Sequence, residues 1–181
     1  MKLTKGYAQW LKQLKIRVRS AQIKVALKVN AELLSLYWDI GAEVLEKEKN
    51  AGWGTGLLPK LSQDLQKTFP DVKGFSLTNI KYIRLWVSFY EFSIRQQLVD
   101  ELRGHPKKKS IRTKGQQPVD PIPSILTTIP WGHHLQIITK CKDVKEALFY
   151  IRQTTQYNWS RSVLVHQMES GLYRRKGRAL T

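Results

Sequence analysis

The chain has 181 residues, a formal net charge of +17, 41% apolar residues and a single cysteine, Cys141. This length holds one medium domain or two small ones, and the apolar share is enough for a core. One cysteine excludes an internal disulfide, no run approaches the ~18 apolar residues of a membrane span, and the opening Met1-Lys2-Leu3-Thr4-Lys5-Gly6 is too polar to read as a signal peptide.

We therefore expect a cytoplasmic protein without a membrane partner. Net charge says nothing about fold, but an excess this large favours a polyanionic partner. In a cytoplasmic chain that points to nucleic acid.

From Tyr7 to about Lys49 there is no proline, and Gly41 is the one glycine. Leu11, Leu14, Val18, Ala21 and Val25 recur at three-four spacing. The stripe resumes at Val29, Leu33, Leu36, Tyr37, Ile40 and Val44. This predicts one long helix, or two in series broken near Ser20 or Gly41. Lys12, Lys15, Arg17, Arg19, Lys24 and Lys28 lie off the stripe, as on a solvated face. A stripe this long is poorly buried within a small domain, so self-association through the N-terminal helix is expected.

Pro59 belongs in the first turn of a second helix, capped by Thr55 or Gly56. Leu61, Leu65 and Phe69 carry it to Pro70, which cannot continue it. Asp71-Val72-Lys73-Gly74 makes the turn. Ser76 then caps a third helix, with Phe75 and Ile80 at the spacing of a hydrophobic staple. Ile80, Ile83, Val87 and Tyr90 form its apolar face, and Thr78, Asn79, Lys81 and Arg84 lie off it. This helix is expected to run towards Leu98. The turn before it is longer than the ~3–4 residues of a strict helix-turn-helix.

Residues 103–124 carry Pro106, Pro118, Pro121 and Pro123 together with Lys107, Lys108, Lys109, Arg112 and Lys114. That composition reads as a basic linker without a packed core.

Trp131 precedes Gly132 at the start of a short helix ending near Cys141. Asp143 caps the next helix, with Val144, Ala147, Leu148 and Ile151 on one face. After a short turn, Trp159, Ser160 and Leu164 repeat the pattern of Phe75, Ser76 and Ile80. Trp53-Gly54 and Trp131-Gly132 read as weaker copies. Arg161, Ser162 and His166 lie on this last helix, Gly171 suits its C-cap region, and Arg174-Arg175-Lys176-Gly177-Arg178 forms a basic tail.

The expected fold is all-α: a helical bundle with helix-turn-helix-like units and little or no strand, with room for a small hairpin around 122–130. The expected parts are residues 1–102 (long helix and first helix-turn-helix-like unit), the linker 103–124, and a second helical unit over 125–181 packed with the first.

Catalytic patterns are missing. The histidines His105, His133, His134 and His166 and Cys141 have no Cys-x-x-Cys or His-Glu-x-x-His spacing, so no metal is expected. The 14 acids show no cluster of the kind a metal-dependent nuclease needs. Gly52, Gly54 and Gly56 lack the lysine of a phosphate-cradling loop, and no cofactor is expected. Candidate nucleic-acid contacts are Thr78, Asn79, Lys81 and Arg84 on one helix and Arg161, Ser162 and His166 on another. Cations supply phosphate contacts, and Asn or Arg can read base edges. DNA is the favoured ligand, with RNA left open.

Asn30 and the run Ala31-Glu32-Leu33-Leu34-Ser35-Leu36-Tyr37-Trp38-Asp39-Ile40-Gly41 carry the pattern N-x-x-L-x-x-L-Y-W-x-I-G. Gly52-Trp53-Gly54, Phe69-Pro70, Gly74-Phe75-Ser76, Asn79–Arg84, Ile129–His134, Tyr150–Gln153, Asn158–Leu164 and Gln167–Tyr173 follow in order. In these motifs the chain resembles the YhcG-like N-terminal domain over nearly its whole length. The resemblance implies a helical DNA-binding domain that precedes a PD-(D/E)XK nuclease domain. The sequence ends at Thr181, before that nuclease domain would begin. The expectation is therefore a non-catalytic targeting module with a nuclease domain or subunit as partner. The competing expectation is a helical protein-interaction or dimerisation module whose charge is incidental.

Overall fold

A computed structural model describes the backbone of residues 5–50, 56–104 and 122–178, and side chains over 6–49, 56–91 and 122–176. The described residues contain seven α-helices, one 3-10 turn and no strand.

Helix α1 (Lys5–Asn50) is continuous for 46 residues, a length of about 69 Å at 1.5 Å per residue. It passes through both Ser20 and Gly41 without a break. Gly41 is buried against a neighbouring helix, where its missing side chain permits close approach. Ser20 is exposed, where a poor helix former costs only tenths of a kcal/mol, on the order of 0.5.

Helix α2 (Leu57–Thr68) starts after Gly56, with Pro59 in its first turn, and closes on Phe69, whose N–H donates to the Leu65 carbonyl at 2.8 Å. The long turn that follows is pinned from α2. Ser62 Oγ and Gln66 Nε2 both donate to the Phe75 carbonyl, at 2.8 and 2.9 Å. Gly74 has φ +126°, a conformation that favours glycine.

Helix α3 (Leu77–Gly104) runs past Leu98 and takes in the first residues assigned above to the linker. Residues 105–121, the rest of that linker up to Pro121, lie outside the described residues, as does the Trp53-Gly54 pair. No hairpin forms in 122–130. Ser124–Thr128 is a 3-10 turn instead.

Helices α4 (Trp131–Lys140), α5 (Val144–Tyr157), α6 (Arg161–Glu169) and α7 (Leu172–Arg178) complete the chain. Trp131 is itself the first residue of α4, behind Pro130 as N-cap, so the aromatic-cap-staple pattern does not apply there. Asp143 caps α5 as expected, its Oδ1 accepting from Glu146 N–H at 2.9 Å. The basic tail is helical: Gly171, at φ +68°, turns the chain and α7, which follows, takes in Arg174 to Arg178.

One core joins the two sides of the chain. Leu34, Tyr37, Trp38 and Leu45 of α1 and Ile83, Trp86, Val87 and Tyr90 of α3 share it with Leu126, Ile129, Ile137, Ala147, Tyr150, Ile151 and Leu164. At its centre Trp86, fully buried, meets Trp38, Trp131 and His134 edge-on at 5.4, 5.3 and 5.1 Å between ring centroids. Edge-to-face contacts of this kind add about 1 kcal/mol each beyond their buried area.

The Trp86 indole can only donate, and it donates to His134 Nδ1 at 3.1 Å. The proton of His134 therefore sits on Nε2, which donates to the Leu126 carbonyl at 2.7 Å. Burial pushes the pKa of this imidazole down to about 4, so it is neutral in the core. Asn30 fastens α1 to the 3-10 turn by donating to the carbonyls of Thr127 and Ile129, both at 3.2 Å.

Candidate nucleic-acid interface

Three helix starts, those of α3, α4 and α6, lie against one another. At α3, Ser76 Oγ accepts from Asn79 N–H at 3.2 Å, while Phe75 and Ile80 are buried below. At α6, Ser160 Oγ accepts from Val163 N–H at 3.4 Å above buried Leu164. The three residues between α5 and α6, Asn158-Trp159-Ser160, turn tightly because Asn158 takes the left-handed conformation at φ 51°. Both starts match the capping read from sequence.

The start of α4 sits between the other two. Trp131 Nε1–H donates to Asn79 Oδ1 at 2.8 Å, which ties α4 to α3. His133 Nε2 bonds the Trp159 carbonyl at 3.0 Å, which ties α4 to the turn before α6. The Arg161 side chain lies over Gly132, whose absent Cβ would meet Nη1 at 3.6 Å.

Helix starts carry partial positive charge, and acidic residues commonly offset it in the first turn. None of α3, α4 or α6 has an acid there. The same holds for α1, α2 and α7, and α5 alone among the described helices carries an acid there, Glu146, behind its Asp143 cap. Exposed Lys81 and Arg161 add full charges beside these starts.

The sequence-predicted contact residues divide into two groups. Thr78, Lys81, Arg161, Ser162 and His166 are exposed, and Lys81 has no ion-pair partner among the described residues. Asn79 and Arg84 are engaged within the fold, Asn79 half-buried and Arg84 with 41% of its side chain still exposed. Asn79 donates from Nδ2 to the Gly74 carbonyl at 2.6 Å and accepts from Trp131 Nε1–H at 2.8 Å. Arg84 Nε pairs with Glu48 Oε2 at 2.6 Å and ties α3 to the end of α1. Ser162 Oγ lies 3.0 Å from Ser160 Oγ.

Sequence reading takes Trp131-Gly132 only as a weaker copy of the aromatic-and-cap pair and assigns neither the bridging position of Trp131 nor the contact of Arg161 with Gly132. Their role depends on how α4 docks, and a Trp-Gly pair carries no sign of that by itself.

Other chemistry is sparse. Among the described residues no three His, Cys, Asp or Glu side chains gather as a metal site requires. Burial and the nearby carboxylates of Glu146 and Asp143 push the Cys141 thiol up to about 12, so it stays protonated and weakly nucleophilic. No helix among the described residues is long and apolar enough to cross a membrane.

The structure is an all-α domain in which the starts of α3, α4 and α6 are held against one another. Comparison with known proteins places it more closely. The family model described as the DUF1016 N-terminal domain matches residues 13–175, and the chain belongs to that family. It is also similar to the protein named "Putative nuclease YhcG" of Escherichia coli (strain K12), at 26% identity over 179 residues. That match covers 95% of this chain and 47% of the relative, so the chain spans about half the length of the curated protein it matches. No solved structure matches.

The motifs behind the resemblance lie mainly in the core. Tyr37, Trp38, Gly41, Phe75 and His134 are buried, and Asn30, Asn79, Trp131 and Trp159 fasten one segment to another or cover the core. The signature is one of architecture.

Proposed function

We propose that this chain is a non-catalytic DNA-binding module that positions a nuclease domain or subunit on its substrate. The observation that carries the reading is the convergence of the α3, α4 and α6 starts, all without a first-turn acid, beside exposed Lys81 and Arg161. Backbone N–H groups at such starts, the hydroxyls of Thr78 and Ser162, and the two cations suit phosphate oxygens. His166, two helical turns into α6 at most, can reach a groove alongside them. Similarity to a protein named as a nuclease supports a nucleic-acid setting. The short turn between α5 and α6 is of helix-turn-helix length, which makes α6 the candidate groove helix.

The test is binding of the purified chain to labelled duplex, branched and single-stranded DNA across a salt series, with an unrelated polyanion as competitor. Selective binding with a steep salt slope that survives the competitor is the expected result. Weak binding abolished by the polyanion would refute it. With magnesium or manganese added, the chain is expected to leave plasmid and branched DNA intact.

A second reading, a helical protein-interaction or dimerisation module, is favoured by one observation. The N-terminal part of α1 exposes Trp10, Ile16, Val18, Ile23 and Val25.

A further inference from the structure

Among residues 6–29 of α1, only Leu11 and Leu14 are half-buried, and every other residue is exposed. The core begins C-terminal to Asn30, where the helix is fastened to the 3-10 turn. The free arm spans about 36 Å at 1.5 Å per residue.

Large apolar side chains stand in solvent along this arm. Trp10 is 54% exposed, Val18 49% and Val25 63%. Leu11, Leu14, Val18, Ala21 and Val25 alternate at three- and four-residue steps, the spacing of a coiled-coil seam. Leu11, Leu14 and Val18 line a shallow groove with Lys15, Arg19 and Gln22. A seam left in water along a helix that the fold does not need for its core marks an interaction surface.

Charge selects the occupant. Lys5, Lys12, Lys15, Arg17, Arg19, Lys24 and Lys28 fall before the first acid, Glu32. Lys15, Arg17 and Lys24 border the seam at the positions where paired helices exchange salt bridges. A second copy would present only cations and neutral groups there, so like charges would face each other. Nucleic acid would answer the cations but leave the Leu and Val seam uncovered. We infer that the arm docks an amphipathic helix of another protein segment, with aliphatic residues on its seam and Glu or Asp flanking it. This surface is separate from the α3, α4 and α6 starts, and the inference does not rest on the DNA reading.

The experiment uses the full chain and a fluorescent three-heptad peptide with Leu at both seam positions and Glu at both flanking positions. Competitors are polyglutamate of equal charge and a short DNA duplex. A second peptide carries Lys in place of Glu. The variant is Val18→Ser with Val25→Ser. Both side chains are exposed, so the fold persists, as circular dichroism will verify.

The expected result is binding of the Glu peptide, none of the Lys peptide, no displacement by polyglutamate or duplex at matched charge, and at least a tenfold loss in the serine variant. Three results would overturn the inference. One is no binding of the Glu peptide. Another is displacement by polyglutamate or duplex as strong as by unlabelled peptide. The last is sedimentation showing that the chain alone dimerises and that the serine variant is monomeric, which would make a second copy the occupant.

Discussion

Asn79 shows how a residue chosen for one role can perform another. It lies on the polar side of α3, near a helix start, where an amide could read a base edge. The structure turns it towards the Gly74 carbonyl and Trp131, half-buried between them. Asn79→Ala would strand the Trp131 N–H and the Gly74 carbonyl in half-buried surroundings, at a cost of about 1–3 kcal/mol. The expected outcome is a lower urea midpoint, with DNA affinity per folded molecule nearly unchanged.

His134 belongs to the same scale. Its folded pKa, about 4, lies below the ordinary 6.5 because burial disfavours the charged ring. The unfolded chain therefore binds the proton first, and acid favours unfolding. Its stabilising contribution is complete above pH 6.5 and drains away as pH falls from 6.5 towards 4, by roughly 3 kcal/mol in all. Urea denaturation between pH 7 and 4 checks this. A His134→Gln variant should be less stable at pH 7 and should lose most of that pH dependence.

At the scale of elements, α1 and α3 meet through Gly41. A Cβ there would stand 2.5 Å from Val87 Cγ2 and 3.0 Å from the Ile83 carbonyl. Alanine is the better helix former by ~1 kcal/mol, yet the carbonyl cannot yield without moving α3. Gly41→Ala should therefore destabilise, by about 1–3 kcal/mol of overpacking. Thermal melts decide the sign: a rise in Tm would mean the helices separate at little cost.

Helix starts were legible in sequence because their cause is local. Ser76 with Phe75 and Ile80, Asp143, and Ser160 with Trp159 and Leu164 each state a boundary within six residues. For α1 the sequence leaves one long helix and two in series both open, because Gly41 weakens a helix in isolation and acquires its purpose only from α3. Trp131 misled for a similar reason: its place at the first helical position follows from Pro130 and from its bond to Asn79. The apolar faces of α3 and α5 were read directly from their spacing. Of the candidate contact residues, the exposed ones followed from that spacing, while the bonding of Asn79 to Trp131 and of Arg84 to Glu48 depended on partners 36 to 52 residues away.

For the whole molecule, the architecture separates two surfaces. One is the region where α3, α4 and α6 begin, which we propose meets DNA and where Asn79 and Trp131 tie the helices together. The other is the arm of α1, which the core does not use. Net charge of +17 is spread over both, so overall charge alone cannot say which surface meets DNA. Only a local change at constant net charge can.

The decisive measurement compares two double charge reversals in DNA binding across a salt series: Lys81→Glu with Arg161→Glu beside the helix starts, and Lys24→Glu with Lys28→Glu on the arm. Both variants carry the same net charge. A DNA-binding end at α3, α4 and α6 predicts at least a tenfold loss for the first pair, with the salt slope reduced by about two, and less than a threefold loss for the second. Equal losses, or none for the first pair, would contradict it.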